Sequence, residues 1–192
     1  MAQRLNKKLV VGLTVMGMLV IAGAGVLLVI NMPGRDPRPA AEQAEKLAEA
    51  GDHETASKYY AKAYTRAMQA GDTTAASDYM VKAGEMALLA GEQNAAVDCW
   101  ARVLRNNPRH EEAQERIVAV RVAQAELYGG NWWDEVRSQA EILVAEDFAP
   151  QNVVGLNGLG RALVEGSAVS LADMKQGGEY LEKAFQQDNT NS

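Results

Sequence analysis

Between Gly91 and Pro108 the chain reads GEQNAAVDCWARVLRNNP, with apolar positions at Ala96, Trp100, Val103 and Leu104. That i, i+4, i+7, i+8 spacing sets all four on one side of a helix. Pro108 ends it, because proline disfavours helical geometry at the residue before it. The preceding run carries a second stripe, Met80, Ala83, Gly84, Ala87 and Leu88, and only Gly91 and Glu92 separate the two. Amphipathic helices joined by so short a turn must fold back on each other to bury their stripes.

The same punctuation recurs. Gly51-Asp52, Gly71-Asp72 and Gly91-Glu92 follow one another every 20 residues, each after an alanine. Glycine suits the left-handed residue that closes a helix, and aspartate suits the N-cap of the next. These signals predict helices over 40–50, 53–70 and 73–90. On the second of them Ala56, Tyr59, Tyr60, Ala63, Tyr64 and Ala67 form one stripe, which reads as packing between helices rather than as a ligand platform. After Pro108 a helix over 110–128 is expected to point Ala113, Ile117, Val120 and Leu127 inward. Gly129-Gly130-Asn131 turns the chain into a helix over 132–146, with Trp133, Val136, Ala140 and Leu143 inward. Leu156, Leu159, Gly160 and Leu163 mark the next helix and 171–187 the last. Four helix pairs result.

The amino-terminal pattern is of another kind. Residues 9–30 run for 22 positions without a charge, about 33 Å as a helix, enough to cross a hydrocarbon core of roughly 30 Å. This predicts a membrane span. The alternative is a cleaved signal peptide, for which Ala22-Gly23-Ala24 supplies small residues, but the run exceeds the roughly 7 to 15 apolar residues of a signal core and continues past that site. Arg4, Lys7 and Lys8 before the span, against Arg35 and Arg38 after it, place the amino terminus in the cytosol and the body outside it. Because that bias is small, the opposite topology, with the body facing the cytosol, stays open. Residues 31–39, NMPGRDPRP, read as a stiff proline-rich linker that holds the body, residues 40–192, near the bilayer.

The helix pairs resemble the tetratricopeptide repeat. Gly84, the turn glycine Gly91, and then Ala96, Trp100, Val103, Leu104 and Pro108 follow its signature, as do Leu159-Gly160-Arg161-Ala162-Leu163 and Tyr180-Leu181-Glu182-Lys183-Ala184-Phe185. The resemblance implies an all-α chain in which the membrane helix is followed by a right-handed α-solenoid of about four hairpins. The spacing departs from the family where Gly51 to Gly91 takes 40 residues and at 165–170, which reads as an insertion; no polar capping helix is apparent after Asp188. The resemblance also implies a concave groove lined by the first helix of each pair, which takes a peptide or helix of another protein. Matching repeat positions give Glu45, Glu49, Val81, Glu85, Leu89, Glu115, Asn157 and Arg161 as groove candidates, a mostly acidic set suited to a basic or amphipathic segment.

Charge and composition remove other classes. The chain carries a formal −6 at pH 7; Arg4, Lys7 and Lys8 are its only charges before the apolar run, so the remainder carries −9. Such a body is a poor partner for phosphate backbones, and no nucleic acid is expected. The single cysteine, Cys99, excludes an intrachain disulfide and reads as a packing residue. His53-Glu54 begins like a zinc-protease motif but no second histidine follows, and both His53 and His110 read as surface residues. Gly155-Leu156-Asn157-Gly158-Leu159-Gly160 falls inside a helix and follows no strand, which argues against a nucleotide loop. No catalytic constellation, cofactor or small-molecule substrate is expected. The sequence thus points to a non-enzymatic, membrane-anchored scaffold in the inner membrane that binds envelope or membrane-complex proteins. Its rival is an accessory subunit of a large membrane assembly, held mainly through the transmembrane helix.

Overall fold

The computed structural model describes residues 36–190, and over them the chain is all-helical, with eight α-helices and no strand. They are α1 (Arg38–Glu49), α2 (His53–Ala70), α3 (Thr73–Leu89), α4 (Gln93–Asn106), α5 (Glu111–Tyr128), α6 (Trp132–Leu143), α7 (Val153–Glu165) and α8 (Leu171–Thr190). Each packs chiefly on the helix before and the helix after it, and α5 also touches α7. The expected span at 9–30 lies outside the described residues. Among those described, no helix is long and apolar enough to cross a membrane.

The helix ends follow from the glycine punctuation. Gly51, Gly71 and Gly91 adopt φ near +80°, where a side chain is strained, and the residue after each donates back into the last turn, as Asp72 N does to Ala67 O at 3.0 Å. Asp52 and Asp72 then cap α2 and α3 by accepting from Thr55 N at 3.2 Å and Ala75 N at 3.0 Å. His110 does the same for α5, its Nδ1 accepting from Ala113 N at 3.3 Å. It is half-buried and structural, not merely a surface residue. Ser170 and Asp173 open α8 reciprocally: Ser170 N donates to Asp173 Oδ2 at 2.9 Å and Asp173 N to Ser170 Oγ at 3.1 Å.

Four details differ from expectation. Helix α1 begins at Arg38, so Pro39 of the supposed linker sits in its first turn, where a missing N–H costs nothing. Helix α6 stops at Leu143 rather than 146, closed by Ala149 N donating to Leu143 O at 3.1 Å. Helix α8 runs on to Thr190 rather than ending at 187. Leu127 is 70% exposed, and Gln124 and Ala125 take the inward positions of the last turns of α5. Gln124 tolerates burial because its Oε1 accepts from Arg121 at 2.8 Å and its Nε2 donates to Gln93 Oε1 at 3.2 Å. Gln114, likewise buried, donates from Nε2 to Gln139 O at 2.9 Å and so ties α5 to α6.

The first core joins α1 to α5 around Trp100, which is fully buried with Tyr60, Met80, Ala83, Val103 and Ile117 about it. Its indole lies on Gly84: a Cβ there would stand 2.5 Å from Trp100 Nε1. The same nitrogen donates to Val81 O at 3.2 Å. Cys99 is half-buried against this cluster, and burial pushes its thiol up. The second core, around Val118, Ala140, Leu143, Leu159 and Leu163, depends on α7 approaching its neighbours closely. A Cβ at Gly155 would meet Val144 at 2.7 Å, one at Gly158 would meet Val118 at 2.9 Å, and one at Gly160 would meet Leu181 at 2.8 Å.

Trp100→Ala should lower the unfolding free energy by about 3–5 kcal/mol, through lost contacts and the cavity left behind. Gly84→Ala adds only one methyl, yet should also destabilise, because the indole has nowhere to move. Thermal unfolding of the full chain followed by circular dichroism reads both, and a Gly84→Ala chain as stable as its parent would contradict the tight crossing.

Candidate functional site

The first helices of successive pairs, α1, α3, α5 and α7, are joined side to side by charged and polar side chains. Lys82 on α3 pairs with Glu45 on α1 at 3.7 Å, its ammonium 5.6 Å from the centre of the Tyr60 ring. Glu85, one turn further along α3, pairs with Arg116 on α5 at 2.5 Å, and Arg116 also holds Glu112 at 3.1 Å. Asn152, the cap of α7, donates to Glu111 at 3.0 Å and Glu115 at 3.1 Å on α5. Arg161 on α7 bridges back to Glu126 on α5, holds Glu165 at 3.1 Å, and stacks over Trp133 with its guanidinium 4.9 Å from the ring centre.

These pairs sit at the surface, so each contributes little energy and mainly fixes which side chains face one another. Burial pulls the Arg161 guanidinium down, but its hydrogen bonds to Glu126 and Glu165 outweigh that and hold it above the usual arginine range. A planar fork between two carboxylates and over an indole is a place only arginine fills.

Two hollows open along this series. One, of about 440 Å³, is lined by Ala75, Asp78, Tyr79, Val81, Lys82, Glu85 and Glu112. The other, of about 560 Å³, lies between the start of α5 and the turn before α7, over Glu111, Glu115, Pro150 and Asn152.

The eight expected groove residues therefore do not form one cluster. Val81 and Glu85 come together in the first hollow, with Glu45 beside it through Lys82. Glu115 belongs to the second, and Arg161 lies further on with Glu126. Glu49 and Leu89, the last residues of α1 and α3, are exposed, as is Asn157. Val81 is 5% exposed, so it floors the hollow rather than presenting a side chain to a partner, and its carbonyl is engaged by Trp100.

Sequence reasoning missed the cations. Lys82 and Arg116 neutralise Glu45 and Glu85 locally, but Asp78, Glu111, Glu112, Glu115, Glu126 and Glu165 lie on the same side with only Arg161 added, so acidic groups still outnumber cations there. The i, i+4 spacing of Glu112 and Arg116 was a visible signal. The cross-helix pairs had none. Among the described residues no three of His, Cys, Asp or Glu gather as metal ligands.

Compared with known protein families and with curated proteins, the chain matches none. A double-mutant cycle on Glu85 and Arg116 should return a coupling of about 0.5–1 kcal/mol at low salt, falling as salt is added, as measured by denaturant unfolding. A coupling that salt leaves unchanged would mean that the pair is not solvent-screened.

Proposed function

We propose that the chain is a non-enzymatic scaffold of tetratricopeptide type, anchored in the inner membrane through residues 9–30 with its helical body outside the cytosol. The body is a solenoid of helix pairs, and its concave side, made by α1, α3, α5 and α7, takes a peptide or helix of another envelope or membrane-complex protein. One observation carries this reading: every described pair of successive first helices is joined by side chains, from Glu45–Lys82 through Glu85–Arg116 to Glu126–Arg161. Those contacts support a continuous side on which the first helices lie next to one another, as a groove requires.

The charge of this face bears on the ligand. Carboxylates outnumber Lys82, Arg116 and Arg161 along it, so the chemistry favours a basic or amphipathic segment with an apolar edge. The apolar edge would lie along the hollow floored by Val81, and exposed Leu89 adds a second contact on the same helix. The long uncharged run at 9–30 supports the rival reading, an accessory subunit held in its assembly by the membrane helix.

Recovery of partners from mild detergent separates the two. Glu45→Lys, Glu49→Lys and Glu85→Lys together should sharply reduce recovery if the groove binds, with melting temperature little changed. Recovery that survives these reversals but is lost on deleting residues 1–32 would favour the accessory subunit.

A further inference from the structure

The outer side of α8 carries an apolar stripe left open among the described residues. Leu171, Met174, Gly178, Leu181 and Phe185 follow one another at alternating steps of three and four, the spacing that lets two helices interleave their side chains. Leu171 is 86% exposed, Met174 49% and Phe185 70%. Leu181 is half-buried because one edge lies against Gly160. Gly178 is exposed, and a Cβ built there would meet nothing within 4 Å. The face that α8 turns toward α7 is centred on the buried Gly177 and Ala184, with Leu181 at the border between that face and the stripe. A helix side that served only solubility would carry charge at these positions.

We propose that this stripe is where a second copy of the same chain docks, the two α8 helices lying antiparallel about a two-fold axis at Gly178. The stripe is complementary to itself about that point. Leu171 of one copy falls beside Phe185 of the other, Met174 beside Leu181, and Gly178 opposite Gly178, where the missing side chains let the backbones approach as Gly160 and Gly177 do within the chain.

The flanking charges agree with this arrangement. Lys175 and Glu182 stand on either side of Gly178 along one flank of the stripe, and neither has an ion-pair partner among the described residues. The two-fold sets Lys175 of each copy against Glu182 of the other, making two pairs. A parallel two-fold would put the two copies of this flank on opposite sides of the seam and leave Lys175 and Glu182 unpaired across it. The existing contact of Glu182, accepting from Gln186 at 3.3 Å, lies along its own helix and is compatible with this. This surface is separate from the proposed groove, so either can stand without the other.

Sedimentation velocity of the full chain in mild detergent, over a range of concentrations, tests the proposal. A concentration-dependent dimer is expected. Met174→Glu with Phe185→Glu should convert it to a monomer with unchanged helical circular dichroism. Lys175→Glu alone should weaken the dimer, and adding Glu182→Lys should restore it, a rescue that loss of folding cannot mimic. A monomer at every concentration overturns the proposal, including the case in which a different protein covers the stripe. So does a dimer that survives the Met174 and Phe185 changes, since it must form elsewhere on the chain.

Discussion

Trp100 resting on Gly84 is the contact on which the amino-terminal half of the body depends. An indole offers more apolar area than any other side chain, but only if a neighbour recedes to admit it. Gly84 recedes completely. The cost is a helix-weakening residue in the middle of α3, about 1 kcal/mol relative to alanine, which burial of a whole indole exceeds. The Trp100 Nε1 bond to the Val81 carbonyl then fixes the rotation of α4 against α3. Because Met80, Ala83 and Ala87 share that face of α3, setting one crossing sets the packing of α2 and α5 on the same core.

The carboxy-terminal half reaches the same end differently. Helix α7 carries Gly155, Gly158 and Gly160 on surfaces that meet the end of α6, α5 and α8 in turn. No large side chain is lodged there; instead three neighbours press on one slim helix. The two halves share α5, whose Ile117 belongs to the first core and Val118 to the second. Adjacent residues on one helix point about 100° apart, so α5 can pack on both sides without a break.

Most of this was legible in the sequence, and for a physical reason. Capping and left-handed closure are local, so Gly71-Asp72 declares a helix boundary without knowing what packs on it. Apolar stripes are nearly as local, and Ala96, Trp100 and Val103 fall inward as their spacing says. Failures arose where a distant residue decided the outcome. Leu127 had the right period but lies in the exposed last three residues of α5, while Gln124 is buried because Arg121, Gln93 and Asn94 supply its hydrogen bonds. Amide partners about 30 residues away leave no trace in a hydropathy pattern.

The candidate face was less legible than the fold for the same reason. Matching repeat positions could say which residues lie on the first helices, but not which charges meet. Glu45 and Glu85 look acidic as residues and are neutral as pairs, since Lys82 and Arg116 arrive from neighbouring helices. Exposed pairs of this kind add little to stability, so folding alone would not demand them. What they do is set the sign, spacing and depth of a surface. A segment docking as proposed would meet paired charges around the hollow floored by Val81, and matching those pairs would add specificity to any attraction from the surplus carboxylates. Breaking one pair would leave the helices in place while changing the charge the face presents, so under the proposed function recognition could vary without disturbing the packing around Trp100.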